Sequence, residues 1–476
     1  MSQAKLSAPP AAAGWISGLT AMLVGILLVI LGWRFGSTAF LIAACSPFLA
    51  FLLSPRAALI LLIAVIPSIG EVEVDRVIPF LWMLGFVPLV FAWVIALLTK
   101  PHEIDLPLIP TFCFGLVGLA ALVSHFGGYD LRPNALVDHG ADWPFWQCID
   151  FFTSFAIGFI AMTVIRNESD LKNIFLVFIF TGIPYAITIF FFGHEKDPMT
   201  GVIEEGGRTQ GFYGHPHMAS THMIVCAILA ANYARYVTGK MRWFAIGATV
   251  LFMTTLAFAS SKTTVAAMPL IIFVWGALEF GIKRAAGFTV GLILVGVLLL
   301  PFAPSSIRKD AATIGAAILG DSDPHAKTLV GQGKLNTFKE RFIQVDEAIE
   351  MIKERPVIGY GPGRVTHVSL IPARFAGPQI HNYYVQVFFE MGVIGGVLFI
   401  CLVLAVMTLG LFTALALRGK PVGHLVRGIL LSTLMVLMIL MLNSGSVGLR
   451  IIWCLLGLLA GVERLARPSS RTLSSA

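Results

Sequence analysis

From residue 15 onward the chain is cut into apolar runs of roughly 15–25 residues, close to what an α-helix needs to cross a ~30 Å hydrocarbon core. These runs recur along most of the sequence and leave few options for folding in water. Composition agrees: of 476 residues, 57% are hydrophobic and 12% charged, whereas a soluble domain carries about 25% charged residues. The mean hydropathy is +0.85. The expected fold class is an all-α polytopic membrane protein.

Length and flanking residues give about fourteen segments, from Trp15–Trp33 to Leu449–Leu465. Thr38–Leu53 and Ala57–Gly70 are short enough to form one re-entrant pair, so the expectation is about 12–14 transmembrane helices. The chain divides into a helical part with short loops (1–302), a large polar segment (303–390), and C-terminal helices with a tail (391–476). The polar start lacks a small-residue cleavage site, so the first apolar run is expected to remain as a span. Alternate loops differ in basic content: about 16 Lys and Arg in one set against about 7 in the other. That bias puts both termini in the cytoplasm and the segments 194–214 and 303–390 on the periplasmic side.

The net charge of +7 comes from basic residues scattered through short loops, with no basic stripe, which argues against a nucleic-acid partner and favours anionic membrane lipids. None of the six cysteines forms a C-x-x-C pair, and most lie inside apolar runs, so no disulfide framework is implied. No Asp, Glu, Lys or Arg sits near the middle of a predicted span, and no internal repeat is evident. Both observations count against a transporter or flippase of lipid-linked sugars, which stays as the alternative of another class.

The remaining polar chemistry falls at the ends of spans. Around Arg208, "GGRTQGFYGHPHMASTHM" carries Tyr213 and the histidines His215, His217 and His222. A histidine metal site and anchoring to lipid head groups both remain open there. Pro216 and the i,i+5 spacing of His217 and His222 make a shared helix face poor for metal, and no metal site is expected. Lys262 in "SSKTT" opens a span and can anchor by snorkelling. In the large segment, "RFIQVDEAIEMIKERP" places Phe342, Val345, Ala348, Ile349 and Ile352 on one helical face. The periodicity predicts an amphipathic helix of about four turns stopped by Pro356. "IGYGPGR" follows, with Gly361 in a tight turn that either reverses the chain or touches a phosphate. Finally "PQIHNYYVQVFFEMGVIGG" (378–396) sets His381, Asn382, Tyr383 and Glu390 at the lip of a span. The histidine there is either an interfacial anchor or a proton acceptor near neutral pH. The carboxylate either orients the ring or starts the span.

In this order, "GRTQGFYGHPHMAS", "ASSKTT", "RFIQVDEAIEMIKERPVIGYGPG" and "HNYYVQVFFEMGVIGG" resemble the O-antigen ligase and O-antigen/exopolysaccharide polymerase superfamily of bacterial inner-membrane glycosyltransferases. The resemblance spans roughly 207–397; the N-terminal spans match only in being apolar. It implies a GT-C-like multi-span fold with a large periplasmic segment. It also implies metal-independent transfer of a glycan from undecaprenyl diphosphate to a hydroxyl on a lipid-anchored or glycan acceptor, with no cofactor. The family histidine matches His381, and its diphosphate-binding arginines match Arg208 and Arg341. Lys262 is a third candidate for the diphosphate. Asn382, Tyr383, Tyr213, His217, Gly361 and Glu390 are candidates for orienting groups or contacts to the acceptor. The chain departs from the family pattern at Ser261–Lys262–Thr263, where Ser–Arg–Gly is frequent, and at Pro216–His217, where Pro–Asn is frequent.

The chemistry suits these residue types. Negative charge builds on the diphosphate as the sugar–phosphate bond breaks, and no Asp-x-Asp stands beside the Arg208, Lys262 or His381 motifs to carry a metal, so fixed cations are favoured. A planar, permanently charged guanidinium serves this purpose well. Two or three converging cations supply about 4–8 kcal/mol if their bonds strengthen in the transition state.

Overall fold

The computed structural model describes residues 104, 106–127, 143–191, 216–259, 262–299, 334–363, 380–441, 443 and 449–466, with isolated helical positions between 56 and 98. Its helices, in chain order, are α1 (Leu108–Gly127), α2 (Trp143–Val164), α3 (Glu168–Phe191), α4 (Pro216–Tyr236), α5 (Gly239–Ala259) and α6 (Lys262–Phe280). Then come α7 (Ile282–Leu299), α8 (Lys334–Glu354), α9 (Tyr383–Ala416), α10 (Pro421–Leu440) and α11 (Leu449–Gly461), which ends in a 3-10 turn, Val462–Ala466. Among the described residues there is no strand. Every apolar segment predicted from Pro107 onward coincides with one of α1–α7 or α9–α11. The protein is an all-α polytopic membrane protein. Outward-facing Leu108, Phe112, Val250, Leu294 and Leu298 are exposed and apolar, as lipid-facing side chains must be. The four segments predicted before Pro107 lie largely outside the described residues.

Helix α10 is the hub. It is packed against α3, α4, α6, α9 and α11. Gly428 makes the approach to α3 and α4 possible, since a Cβ there would stand 2.8 Å from the Phe175 ring and 3.1 Å from Asn232. Small residues do the same between α2 and α11. A Cβ on Gly158 would lie 2.5 Å from the Trp453 carbonyl oxygen, and one on Gly457 would overlap the Gly158 carbonyl. This close crossing lets Trp453 nest among Phe114, Phe151, Phe155 and Phe399, with ring centroids 5.3–6.0 Å away. Gly457→Ala is therefore expected to cost about 1–3 kcal/mol. The check is the thermal midpoint in detergent; an unchanged midpoint would refute the close crossing.

One end of the bundle is tied by arginines. Glu279, at the end of α6, accepts from Arg235 at 3.0 Å and from Arg427, and lies 3.5 Å from His424 Nδ1. Arg418 donates to the Glu279 carbonyl at 3.3 Å, and Arg235 lies over the Trp275 ring at 5.4 Å. Nearby chain ends are held in the same manner: Arg56 pairs with Asp170 at 2.8 Å, and Arg464 caps α2 by donating to the carbonyls of Thr163 (3.3 Å) and Ile165 (2.8 Å). Among the described basic residues of the richer set of loops, Arg235, Arg418 and Arg427 thus gather where α4, α6 and α9 end and α10 begins.

Helix α8 begins at Lys334, seven residues before the predicted start at Arg341. Leu335 and Phe338 extend the apolar spacing upstream, and no Gly or Pro interrupts it after Gly333. Its buried stripe also differs from the predicted face. Ala348 is fully buried, but Ile349 is 41% exposed, and the polar Gln344 is buried on the row that contains Ala348. The stripe is chosen by what α9 presents, so helical spacing placed Ala348 and Ile352 correctly but misjudged Ile349.

Candidate active site

The site is built at the opposite end of the bundle. There Tyr384 of α9 donates to the Leu437 carbonyl of α10 at 3.2 Å. Asn443, just beyond α10, donates to Thr263 Oγ1 of α6 at 3.0 Å and to the Ile439 carbonyl at 3.1 Å. Helices α4, α6 and α9 all run antiparallel to α10, so their N-termini share this end. Three of the sequence motifs singled out above open these three helices: "PHMAS" opens α4, "KTT" opens α6 and "HNYY" opens α9. The free N–H groups and the helix dipoles make such N-termini favourable to anions.

Local chemistry fixes His381. Asn382 is the N-cap of α9, and its side-chain oxygen accepts from the Val385 N–H at 3.1 Å. His381 stands one residue before the cap, half-buried, and its Nδ1 meets Gln344 Oε1 of α8 at 2.7 Å. Gln344 is 6% exposed. Sequence reasoning missed this residue. The signal was its i,i+4 register with Ala348 and Ile352.

A second device holds α8 on α9. Helix α9 is broken at Gly392, which has φ 64° and ψ −173°. The break would orphan backbone groups on either side. The turn after α8 satisfies them: Tyr360 N–H donates to the Phe389 carbonyl (3.0 Å), Gly361 N–H to the Glu390 carbonyl (2.7 Å), and Val393 N–H to the Pro356 carbonyl (2.7 Å). Ser124 of α1 adds a bond to the Glu390 carbonyl at 2.5 Å. The Tyr360 ring stacks on Phe389 with centroids 4.7 Å apart, beside Ala348 and Ile380. The phenol donates to the Met351 carbonyl (3.2 Å) and to Glu354 (3.1 Å). Burial and that carboxylate push its pKa up to about 12. On α8, burial raises the Glu347 carboxyl above its usual range.

The predicted site residues therefore take distinct places. His381 and Asn382 stand together at the start of α9. Tyr383 is 2% exposed, its ring edge-on to Phe399 at 5.7 Å. Gly361 lies in the turn as a backbone donor. Glu390 is buried, its carboxylate held by Gln386 at 3.0 Å and by the Gly363 N–H. His217 is half-buried in the first turn of α4, where its carbonyl accepts from Thr221 at 2.8 Å. His222 is fully buried further along α4, near the rings of Phe178 (6.3 Å) and Tyr185 (6.4 Å). Lys262 is the first residue of α6 and Arg341 lies within α8, three residues before Gln344. Arg208, Tyr213 and His215 lie outside the described residues.

Taken together, fold and site define a multi-pass helical membrane protein with its helix-opening motifs gathered at one end, beside an amphipathic helix. Residues 247–400 match the O-antigen ligase (Wzy_C) family model, a stretch running from within α5 through α8 and its turn into α9. The match supports the resemblance to the O-antigen ligase/polymerase superfamily over that stretch. Comparison with curated proteins gave no significant match.

Proposed function

We propose that the chain is a ligase-type glycosyltransferase of the bacterial inner membrane. It transfers a glycan from undecaprenyl diphosphate to a hydroxyl on a lipid-anchored acceptor, at the periplasmic face and without a metal. The observation that carries this reading is the shared end: the motifs of α4, α6 and α9 open at the same end of α10, and there His381 is held by Gln344. The arginines gathered at the far end support the sidedness, because basic residues favour the cytoplasmic side.

In this reading Arg208, Arg341 and Lys262 stabilise the departing diphosphate, and His381 takes the proton of the attacking hydroxyl. General-base assistance is worth about 10²–10⁴ in rate. His381→Ala at normal membrane level is expected to lose that factor in a reconstituted transfer assay; near-normal transfer would end the assignment. Arg208→Ala and Arg341→Ala are each expected to lose far more transfer than Arg308→Ala, and equal losses would defeat the diphosphate reading. Surface glycans from a strain lacking the gene distinguish the acceptors. Unattached lipid-linked chains indicate a ligase, and single repeat units indicate a polymerase.

A further inference from the structure

We propose that Gln344 is a positioning residue that selects the tautomer and orientation of the His381 ring, an assignment that rests on the proposed base role of His381. The contact joins residues 37 apart in sequence, one on α8 and one at the mouth of α9. An amide buried on the packed row of an amphipathic helix costs free energy unless it is hydrogen-bonded. An apolar residue would fill the row at less cost, and the bond to His381 Nδ1 accounts for the choice. Both partners are held independently of each other. The Asn382 cap fixes the backbone beside the ring. The bonds from the turn to Phe389 and Glu390 fix α8 against α9.

With Oε1 facing the ring, Nδ1 carries the hydrogen and Nε2 carries the lone pair. Nε2 is then the atom that acts. As the acceptor oxygen bonds to the anomeric carbon, its proton passes to Nε2. The bond from that carbon to the diphosphate oxygen breaks, and its electron pair leaves with the lipid diphosphate. The imidazolium formed keeps its Nδ1–H bond to Oε1 and later yields the Nε2 proton to solvent. A carboxamide, unlike a carboxylate, adds no charge. It orients the ring while favouring protonation far less than a carboxylate would, so the base stays in its working form near neutral pH.

The test uses the full chain in lipid nanodiscs with ¹⁵N-histidine, comparing wild type, Gln344→Glu and Gln344→Met, with His381→Ala to assign the ring signals. Each variant is first checked for an unchanged elution profile and thermal midpoint. If Gln344→Glu fails that check, Gln344→Met carries the test through the ring signals alone. Arg341, Asp346 and Glu347 flank Gln344 on α8 and Glu390 stands on α9; all are retained, so they cannot produce a difference between variants. Wild type is expected to show one tautomer, protonated at Nδ1. Gln344→Met is expected to show a tautomer mixture and roughly a 10–100-fold slower transfer. Gln344→Glu is expected to raise the ring pKa, moving the acid limb of kcat/KM up by about one pH unit. It should also recover most of the rate at higher pH, which loss of structure would not do. Ring signals and acid limb unchanged in Gln344→Glu, or a single unchanged tautomer in Gln344→Met, would overturn the proposal. The two ideas fail separately. If His381→Ala still transfers glycan, the base role is lost even while Gln344 controls the tautomer. If His381 is required but its ring ignores Gln344, only the positioning role is lost.

Discussion

Gly392→Val is expected to release the turn after α8 from α9 and to abolish glycan transfer while leaving the spans inserted. At φ 64° and ψ −173° the backbone is in a region open essentially to glycine alone. A Cβ at this position would also run into the Val357 carbonyl and stand 2.6 Å from the Ile358 nitrogen. The facing glycine is equally constrained: Gly359 has φ 67°, and a Cβ there would sit 2.5 Å from Gly392 N and 2.6 Å from the Glu390 carbonyl oxygen. Strain of about 1–3 kcal/mol adds to three backbone hydrogen bonds worth about 1 kcal/mol each, so the junction loses about 4–6 kcal/mol. Because that junction sets α8 against α9, Gln344 and His381 part with it. Limited proteolysis should open new sites near residues 355–363, and transfer should fall at least as far as in His381→Ala. A protease pattern and activity like wild type would refute the interlock.

The second large effect lies at the other end of the molecule. Glu279→Leu leaves Arg427, 3% exposed, without its carboxylate partner. Breaking a buried pair on one side costs about 3–5 kcal/mol because the remaining charge stays desolvated. Replacing both partners by apolar residues is far milder. The double variant Glu279→Leu/Arg427→Leu is therefore expected to regain most of the thermal midpoint lost by Glu279→Leu. Arg235 and Arg418 are more exposed and can turn toward water. Any Glu279→Leu protein that survives should keep the pH profile of transfer, since the cluster and His381 occupy opposite ends of α10. A double variant as unstable as the single one would show that the arginines, not the pair, hold α4, α6 and α10 together.

The two glycine motifs show how far a sequence can be read. "PVIGYGPG" and "EMGVIGG" stand out as strings of glycine beside proline or glutamate, and a turn at Gly361 was predictable from composition. That each repairs the other's broken hydrogen bonds was not, because they are separated by the segment 364–379 and meet only when α8 lies on α9. Glu390 illustrates the same limit. Its carboxylate suggested either a partner for the histidine or the start of a span; that it holds Gln386 and the backbone of Gly363 was not legible in the sequence. Ser124 gave no signal, since its bond to the Glu390 carbonyl spans 266 residues.

The apolar run lengths alone determined that this chain forms membrane-crossing helices and, from Pro107 onward, approximately where each lies, because a backbone in lipid must satisfy its own hydrogen bonds within the segment. They also determined that the polar chemistry would stand at helix ends, where charged and amide groups escape the cost of hydrocarbon. Only the tertiary structure decided that α10 is the hub, that α4, α6 and α9 open at a common end, and that Gln344 is the residue facing His381. Those outcomes depend on which helix faces touch, and helical periodicity fixes a face without naming its partner.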